Sequence, residues 1–129
     1  MILVDTSVLV SYIKRPTPAV REVFASLDCA ICGVIRAEIL HGARSPEDAS
    51  KLKAALDCFT CLPTDESIWD VLGEHLATLR AAGLPMPIQD SLIATLAMHH
   101  SAELWTYDNH FAKIQSVLPG LRLFAGPQV

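Results

Sequence analysis

Short apolar runs alternate with longer amphipathic stretches along the whole chain, and this alternation limits the fold more than any other feature. Runs at residues 2–5, 29–32, 58–62, 103–106 and 121–123 read as strands, and the stretches between them carry helical spacing. A parallel neighbour in a sheet requires a long crossover, usually a helix, so strands separated by helices build a parallel or mostly parallel sheet. The expected fold class is α/β: a three-layer α/β/α domain around a mostly parallel sheet of about five strands, occupying residues 1–129 as a single unit. A composition of 51% hydrophobic and 19% charged residues argues against disorder. The apolar runs are too short to span a bilayer, and Asp5 interrupts the only leader-like stretch, so a soluble cytoplasmic protein without a membrane partner is expected. So high an apolar fraction in so small a domain also predicts burial against a partner or a second copy.

Helix boundaries are well punctuated. Thr17-Pro18 and Ser45-Pro46 each put a capping hydroxyl before a proline at the first helical position, and Ser45-Pro46-Glu47-Asp48 adds a capping-box-like acid. Ile68, Val71, Leu72, His75, Leu76 and Leu79 recur at helical spacing after a Thr64-Asp65-Glu66 start, and that helix should end near Gly83. Leu84-Pro85-Met86-Pro87 is extended, and the next helix runs from about Ile88 to His100.

Acids stand at informative places on this frame. The run Met1-Ile2-Leu3-Val4 ends in Asp5, followed by Thr6 and Ser7, so a buried strand delivers a carboxylate to the carboxyl edge of the sheet, where ligands gather in open α/β folds. Asp5 is equally suited to cap the next helix. Asp90 lies in the first turn of its helix, where the macrodipole favours a negative charge. Asp108 follows Leu104-Trp105-Thr106-Tyr107. Glu38 sits mid-helix among apolar neighbours and is either paired with a base such as Arg36 or aimed at a cation.

Four carboxylates converging at neutral pH need protons or a cation to offset their repulsion, and hard ions such as Mg²⁺ or Mn²⁺ prefer oxygen ligands. Ions so held can activate water against a phosphodiester and stabilise the departing oxygen. A net charge of −4 carries no overall basic footprint for nucleic acid. Lys14, Arg15, Arg36 and Arg44 are the local candidates for phosphate contacts, or else solvated helix charges.

The chain resembles the PIN-domain ribonucleases and, among them, the VapC-type toxins of bacterial toxin–antitoxin pairs. The resemblance rests on Leu3-Val4-Asp5-Thr6-Ser7-Val8-Leu9, Arg36-Ala37-Glu38-Ile39-Leu40-His41-Gly42, Gln89-Asp90-Ser91-Leu92-Ile93-Ala94 and Leu104-Trp105-Thr106-Tyr107-Asp108-Asn109-His110-Phe111, in the right order and with fitting spacing. It implies a PIN-like α/β/α domain that hydrolyses RNA with Mg²⁺ or Mn²⁺, inhibits translation, and is neutralised by a cognate VapB-like antitoxin. Asp5, Glu38 and Asp90 match the family's core acids, Asp108 the fourth, and Thr106 the threonine that supports the acidic pocket. On this reading Asp5 and Asp90 hold the main metal, with Glu38 and Asp108 helping through water or a second ion. The family often has a further aspartate where this chain has His110, which puts the number and strength of metal sites in question. Transfer RNA and ribosomal RNA both fit the family as substrates, and a homodimer through apolar helical faces is expected.

Other signals are weaker. Cys29-x-x-Cys32 and Cys58-x-x-Cys61 would suggest zinc, but both pairs lie in strand-like runs, where positions three apart face opposite ways, so buried free thiols are expected. Glu38-x-x-His41 echoes a di-iron helix motif but lacks the second copy such a site needs. His99-His100 suits a helix C-terminus. A phosphoacceptor receiver domain would need an acid pair after the first strand and a lysine after the last, and neither is present. A non-catalytic RNA- or protein-binding module of the same fold is the remaining alternative, kept open by His110.

Overall fold

The computed structural model describes residues 1–128. Five strands form one sheet: β1 (Ile2–Val4), β2 (Cys29–Cys32), β3 (Thr60–Leu62), β4 (Glu103–Trp105) and β5 (Arg122–Leu123). Their order is β3-β2-β1-β4-β5, and every pairing is parallel. The chain winds outward from β1 to β2 and β3, then returns to the other side of β1 for β4 and β5. The strand order therefore reverses between β1 and β4, and the carboxyl ends of these two strands border the crevice where open α/β sheets bind ligands.

Seven helices cover the two faces: α1 (Thr6–Lys14), α2 (Pro18–Ser26), α3 (Gly33–His41), α4 (Pro46–Leu56), α5 (Ser67–Ala81), α6 (Ile88–His99) and α7 (His110–Val117). Helices α1, α3 and α4 pack on one another, as do α5, α6 and α7, giving the three-layer arrangement that the alternation implies. Parallel strands buried on both faces need apolar residues at every position rather than at alternate ones. Leu3, Val4, Ala30, Ile31, Leu104 and Trp105 are all fully buried, as this requires. Among the described residues no helix is long and apolar enough to cross a membrane.

Caps fall where the hydroxyl–proline pairs place them. The side chain of Thr17 accepts from Val20 N at 3.3 Å and that of Ser45 from Asp48 N at 3.0 Å. Asp48 reaches back to the backbone N–H of Arg44 instead of Ser45, so the box closes one residue early. The expected Thr64-Asp65-Glu66 start is displaced: α5 begins at Ser67, and Glu66 makes no side-chain cap. Here the first apolar anchor, Ile68, sets the register without help from a cap. Gly83, with φ of 75°, ends this segment in the left-handed conformation that glycine tolerates best.

The cysteine expectation holds only in part. Cys29 and Cys32 are buried free thiols, whereas Cys58 and Cys61 are free but exposed. The third strand begins at Thr60 and lies on the sheet edge, so Cys58 falls in the preceding turn and Cys61 has no outer neighbour to cover it. Burial pushes the Cys32 thiol up to about 11.

Packing between α5 and α6 includes a polar link. The Thr95 hydroxyl donates to Ser91 O at 2.7 Å, so His75 Nδ1, 2.9 Å away, must carry the proton and donate to Thr95. Burial lowers the His75 pKa from its ordinary 6.5. The unfolded chain then takes up a proton, as pH falls through 6.5, that the folded chain resists. Stability is therefore fully present above this value and declines below it, levelling off once the depressed folded value is passed. Urea midpoints measured from about pH 8 to about pH 5 should show this loss. In His75→Asn, which keeps a donor near Nδ1, the dependence should be flatter.

Candidate active site

The switch point collects every acid that the sequence singled out. Asp5 follows β1 directly and is 5% exposed. It does both things expected of it: it stands at the sheet edge and is the N-cap of α1, accepting from Ser7 N at 3.4 Å. Two hydroxyls complete its cradle, with Ser7 Oγ donating at 2.7 Å and Thr106 Oγ1 at 2.8 Å. All three donors converge on Oδ2, and Oδ1 receives no hydrogen bond from the described residues. One oxygen is thus fixed while the other stays free to bind something else.

Thr106 also accepts from Asp108 N at 3.0 Å, and Ser7 Oγ accepts from Tyr107 N at 3.0 Å. The two hydroxyls therefore lock the turn after β4 to the end of β1. Thr106→Val should cost about 1.5–3 kcal/mol in urea unfolding, the range for a hydrogen bond to a charged group, and Thr106→Ser should recover most of it.

Glu38 comes in from the third helix, at the exposed rim. Its Oε1 accepts from Thr6 Oγ1 at 3.2 Å, which ties it to the residue beside Asp5. Pairing with Arg36 does not occur, because Arg36 Nη1 reaches Asp57 Oδ1 at 2.9 Å on another part of the surface. Burial, reinforced by repulsion from Asp5 and Asp90, holds the Glu38 carboxyl above the usual carboxylate range, against the pull of the Thr6 hydrogen bond. The influence of Asp5 and Asp90 on Glu38 means that acids from β1, α3 and α6 share one electrostatic field.

Asp90 occupies the first turn of α6, and Asp108 lies in the turn before α7. His110 joins them. Its Nδ1 is 2.9 Å from Asp90 Oδ2 and 3.7 Å from Asp108 Oδ1, while its backbone N–H donates to Asp108 Oδ1 at 2.9 Å. Ligand atoms of Asp90, Asp108 and His110 all lie within 4.8 Å of one another. Asp5 and Glu38 are not part of that tight group. Among the described residues no lysine or arginine forms a salt bridge with any of the four acids, and His110 is the basic side chain in direct contact with two of them.

Such a donor set fits a divalent cation. Adjacent donors around an octahedral ion with bonds of about 2.1 Å stand about 3 Å apart, as His110 Nδ1 and Asp90 Oδ2 do at 2.9 Å, with Asp108 Oδ1 further out at 3.7 Å from the same nitrogen. Asp90, Asp108 and His110 are the donors close enough to share one ion, and Asp5 keeps an Oδ1 that accepts no hydrogen bond from the described residues. Sequence reasoning missed Ser7 and Thr6 as site residues, since a hydroxyl shows its role only when strands and helices bring it to a carboxylate. It noted His110 only as a departure.

Two adjoining cavities form a groove that reaches Glu38. One, of about 590 Å³, is lined by Val10, Ile13, Lys14, Glu38, Ile39 and Arg44 among others. The other, of about 460 Å³, shares Ile13, Ile39 and Leu52 with the first and continues to Tyr12, Phe24 and Phe59. Of the basic residues considered for phosphate contacts, Lys14 and Arg44 border this groove.

Comparison with known proteins agrees with this architecture. The family model described as PIN domain matches residues 2–117. Ribonuclease VapC17 of Mycobacterium tuberculosis is 32% identical over 98 residues, 74% of each chain. Ribonuclease VapC11 of the same organism is 32% identical over 125 residues, 91% of this chain and 93% of that protein. Among solved structures, a DNA-bound VapBC from Salmonella typhimurium aligns with a TM-score of 0.84 at 22% identity, covering 95% of this chain and 96% of the other. VapBC2 from Rickettsia felis, bound to a fragment of promoter DNA, aligns at 0.80 with 25% identity, covering 96% and 98%. With its acids at the switch point of an all-parallel sheet and its match over nearly the whole length, this chain belongs to the PIN-domain family, among the VapC ribonucleases.

Proposed function

We propose that this protein is an endoribonuclease that needs Mg²⁺ or Mn²⁺ to hydrolyse RNA, acts as a toxin by inhibiting translation, and is neutralised by a cognate VapB-like antitoxin. The observation that carries this reading is the gathering of Asp5, Glu38, Asp90 and Asp108 at one sheet edge with no salt bridge to a lysine or arginine among the described residues, one oxygen of Asp5 being fixed by hydrogen bonds and the other not. A bound divalent ion supplies Lewis-acid polarisation of the phosphodiester and a water acidic enough to attack it.

The chain's own groups do the placing. Asp90 and Asp108 would hold the cation, Asp5 would offer it the unbonded Oδ1, and Thr106 and Ser7 keep Asp5 from turning away. Glu38, held by Thr6 at the rim, would support the site through bound water, and the α7 turn fixes Asp108 in place. The positive end of α6 offsets part of the Asp90 charge.

Relatives named as ribonucleases and structural neighbours solved as VapBC complexes support the substrate class and the partner. The groove between α1, α2, α3 and α4 suits an antitoxin segment, with apolar walls for its side chains and Glu38 near one end for a basic one. Exposed Trp69 and Ile88 are the apolar residues on which a homodimer would draw. Free cysteines throughout fit a reducing cytoplasm.

Incubating the purified protein with transfer RNA and ribosomal RNA in Mg²⁺ or Mn²⁺, then mapping the fragment ends, tests this. Attack by water leaves no 2′,3′-cyclic phosphate, so linear phosphate ends are expected. Cyclic phosphates would mean that the 2′-hydroxyl is the nucleophile and would overturn the reading. A non-catalytic module is the second reading, favoured by the bond between His110 and Asp90, which engages an oxygen the cation needs. Tight RNA binding without cleavage in either metal would select it.

A further inference from the structure

We infer that His110 is itself a metal ligand, so that Asp90, Asp108 and His110 form a mixed oxygen–nitrogen site that selects a first-row transition ion over Mg²⁺. This rests on the metal dependence proposed above and concerns the donor set that provides it. His110 opens α7, and its backbone N–H, bonded to Asp108 at 2.9 Å, fixes where the imidazole leaves the helix. From there Nδ1 lies between two carboxylates, 2.9 Å from one and 3.7 Å from the other. The ring is 46% exposed and the two acids 21% and 40%, so an ion can reach all three from solvent.

The histidine in this place is more than a counter-charge. A lysine or arginine here would occupy the pocket with a permanent cation and exclude a metal. Imidazole is different, because its neutral tautomer with the proton on Nε2 leaves a lone pair on Nδ1 that an ion can take without the ring leaving its position. Nitrogen donors suit Mn²⁺, Fe²⁺ and the later transition ions, whereas Mg²⁺ demands oxygen and keeps its waters. Replacing one oxygen of an all-carboxylate site by this nitrogen therefore shifts preference away from Mg²⁺.

Electron spin resonance on the full chain loaded with Mn²⁺ tests the assignment without reference to cleavage. Pulsed spectra should show modulation from a directly bound ¹⁴N in wild type and none in His110→Asp. Mg²⁺ should displace Mn²⁺ from His110→Asp at concentrations about tenfold lower than from wild type. His110→Asn, which keeps a polar side chain of similar reach, serves if the aspartate variant fails to fold and should also lose the ¹⁴N signal. Mn²⁺ bound to wild type with no nitrogen coupling, or an unchanged ratio of Mn²⁺ to Mg²⁺ affinity in the variants, would overturn the inference while leaving metal dependence intact. Wild type that binds no Mn²⁺ at all would overturn both.

Discussion

Asp90→Asn is expected to lower RNA cleavage by at least about a hundredfold while the protein stays folded, because it removes charge from the one acid placed to meet both His110 and the shared field of the site. The neutral amide keeps the size of the side chain and can still accept from His110. Its loss at the first turn of α6 forfeits a favourable dipole interaction of about 0.3–1 kcal/mol, which relief of repulsion with Glu38 partly offsets. Urea midpoints should therefore shift little. Initial rates on a cleaved RNA, measured beside those midpoints, separate the chemical effect from unfolding. Retained cleavage would remove Asp90 from the metal-holding set.

Trp105→Ala is expected to have the largest effect on stability, about 3–5 kcal/mol, which corresponds to a fall in Tm of roughly 10–20 °C. Trp105 is fully buried at the end of β4, and its ring packs against Phe24 at 5.7 Å, Phe124 at 5.4 Å and Tyr107 at 6.4 Å. It thus joins α2, the sheet and the C-terminal segment. That segment crosses the ring so closely that a Cβ on Gly126 would stand 2.8 Å from Trp105, and Tyr107 Oη anchors it by donating to Pro127 O at 2.8 Å. Truncation opens a cavity that these partners cannot all collapse into. Trp105→Phe should cost less, since Nε1 is buried without a partner among the described residues and its removal relieves that penalty. Thermal unfolding of both variants checks the order. Because Thr106 is the next residue, Trp105→Ala should also loosen the Asp5 cradle.

Where the chain writes its structure in apolar periodicity, the sequence was readable. Each of the five runs became a strand, 29–32 unchanged and the other four trimmed by a residue or two, and the three central strands read most plainly because burial on both faces keeps them apolar. Hydroxyl–proline pairs marked α2 and α4 for local reasons that need no tertiary context. The α5 start was misplaced because Thr64 and Asp65 look like caps but lie outside the helix, whose register follows Ile68. Helix α7 had no signal beyond Phe111 and Ile114, too short a pattern to show periodicity.

The site was legible at the carboxylates and opaque between them. Asp5 could be placed at a sheet edge from its neighbours alone. The partner of Arg36 could not, because Asp57 is distant in sequence and meets it only once α3 and α4 pack. Thr106 entered through family resemblance, and only the parallel pairing of β1 with β4 explains it physically, by bringing its hydroxyl to Asp5. The exposure of Cys58 and Cys61 depended on β3 being an edge strand, and strand order is not written in local sequence.

The central claim is that acids carried by β1, α3, α6 and the turn after β4 make one metal-dependent centre for cutting RNA. The most direct test follows cleavage of one RNA by wild type in Mn²⁺, after EDTA, and after Mn²⁺ is restored, with Asp5→Asn in parallel. Asparagine caps a helix as well as aspartate, so this variant should fold. Cleavage that stops with EDTA, returns with Mn²⁺ and is absent throughout in Asp5→Asn is the predicted result. Cleavage that continues in EDTA, or that Asp5→Asn performs as wild type does, would contradict the account.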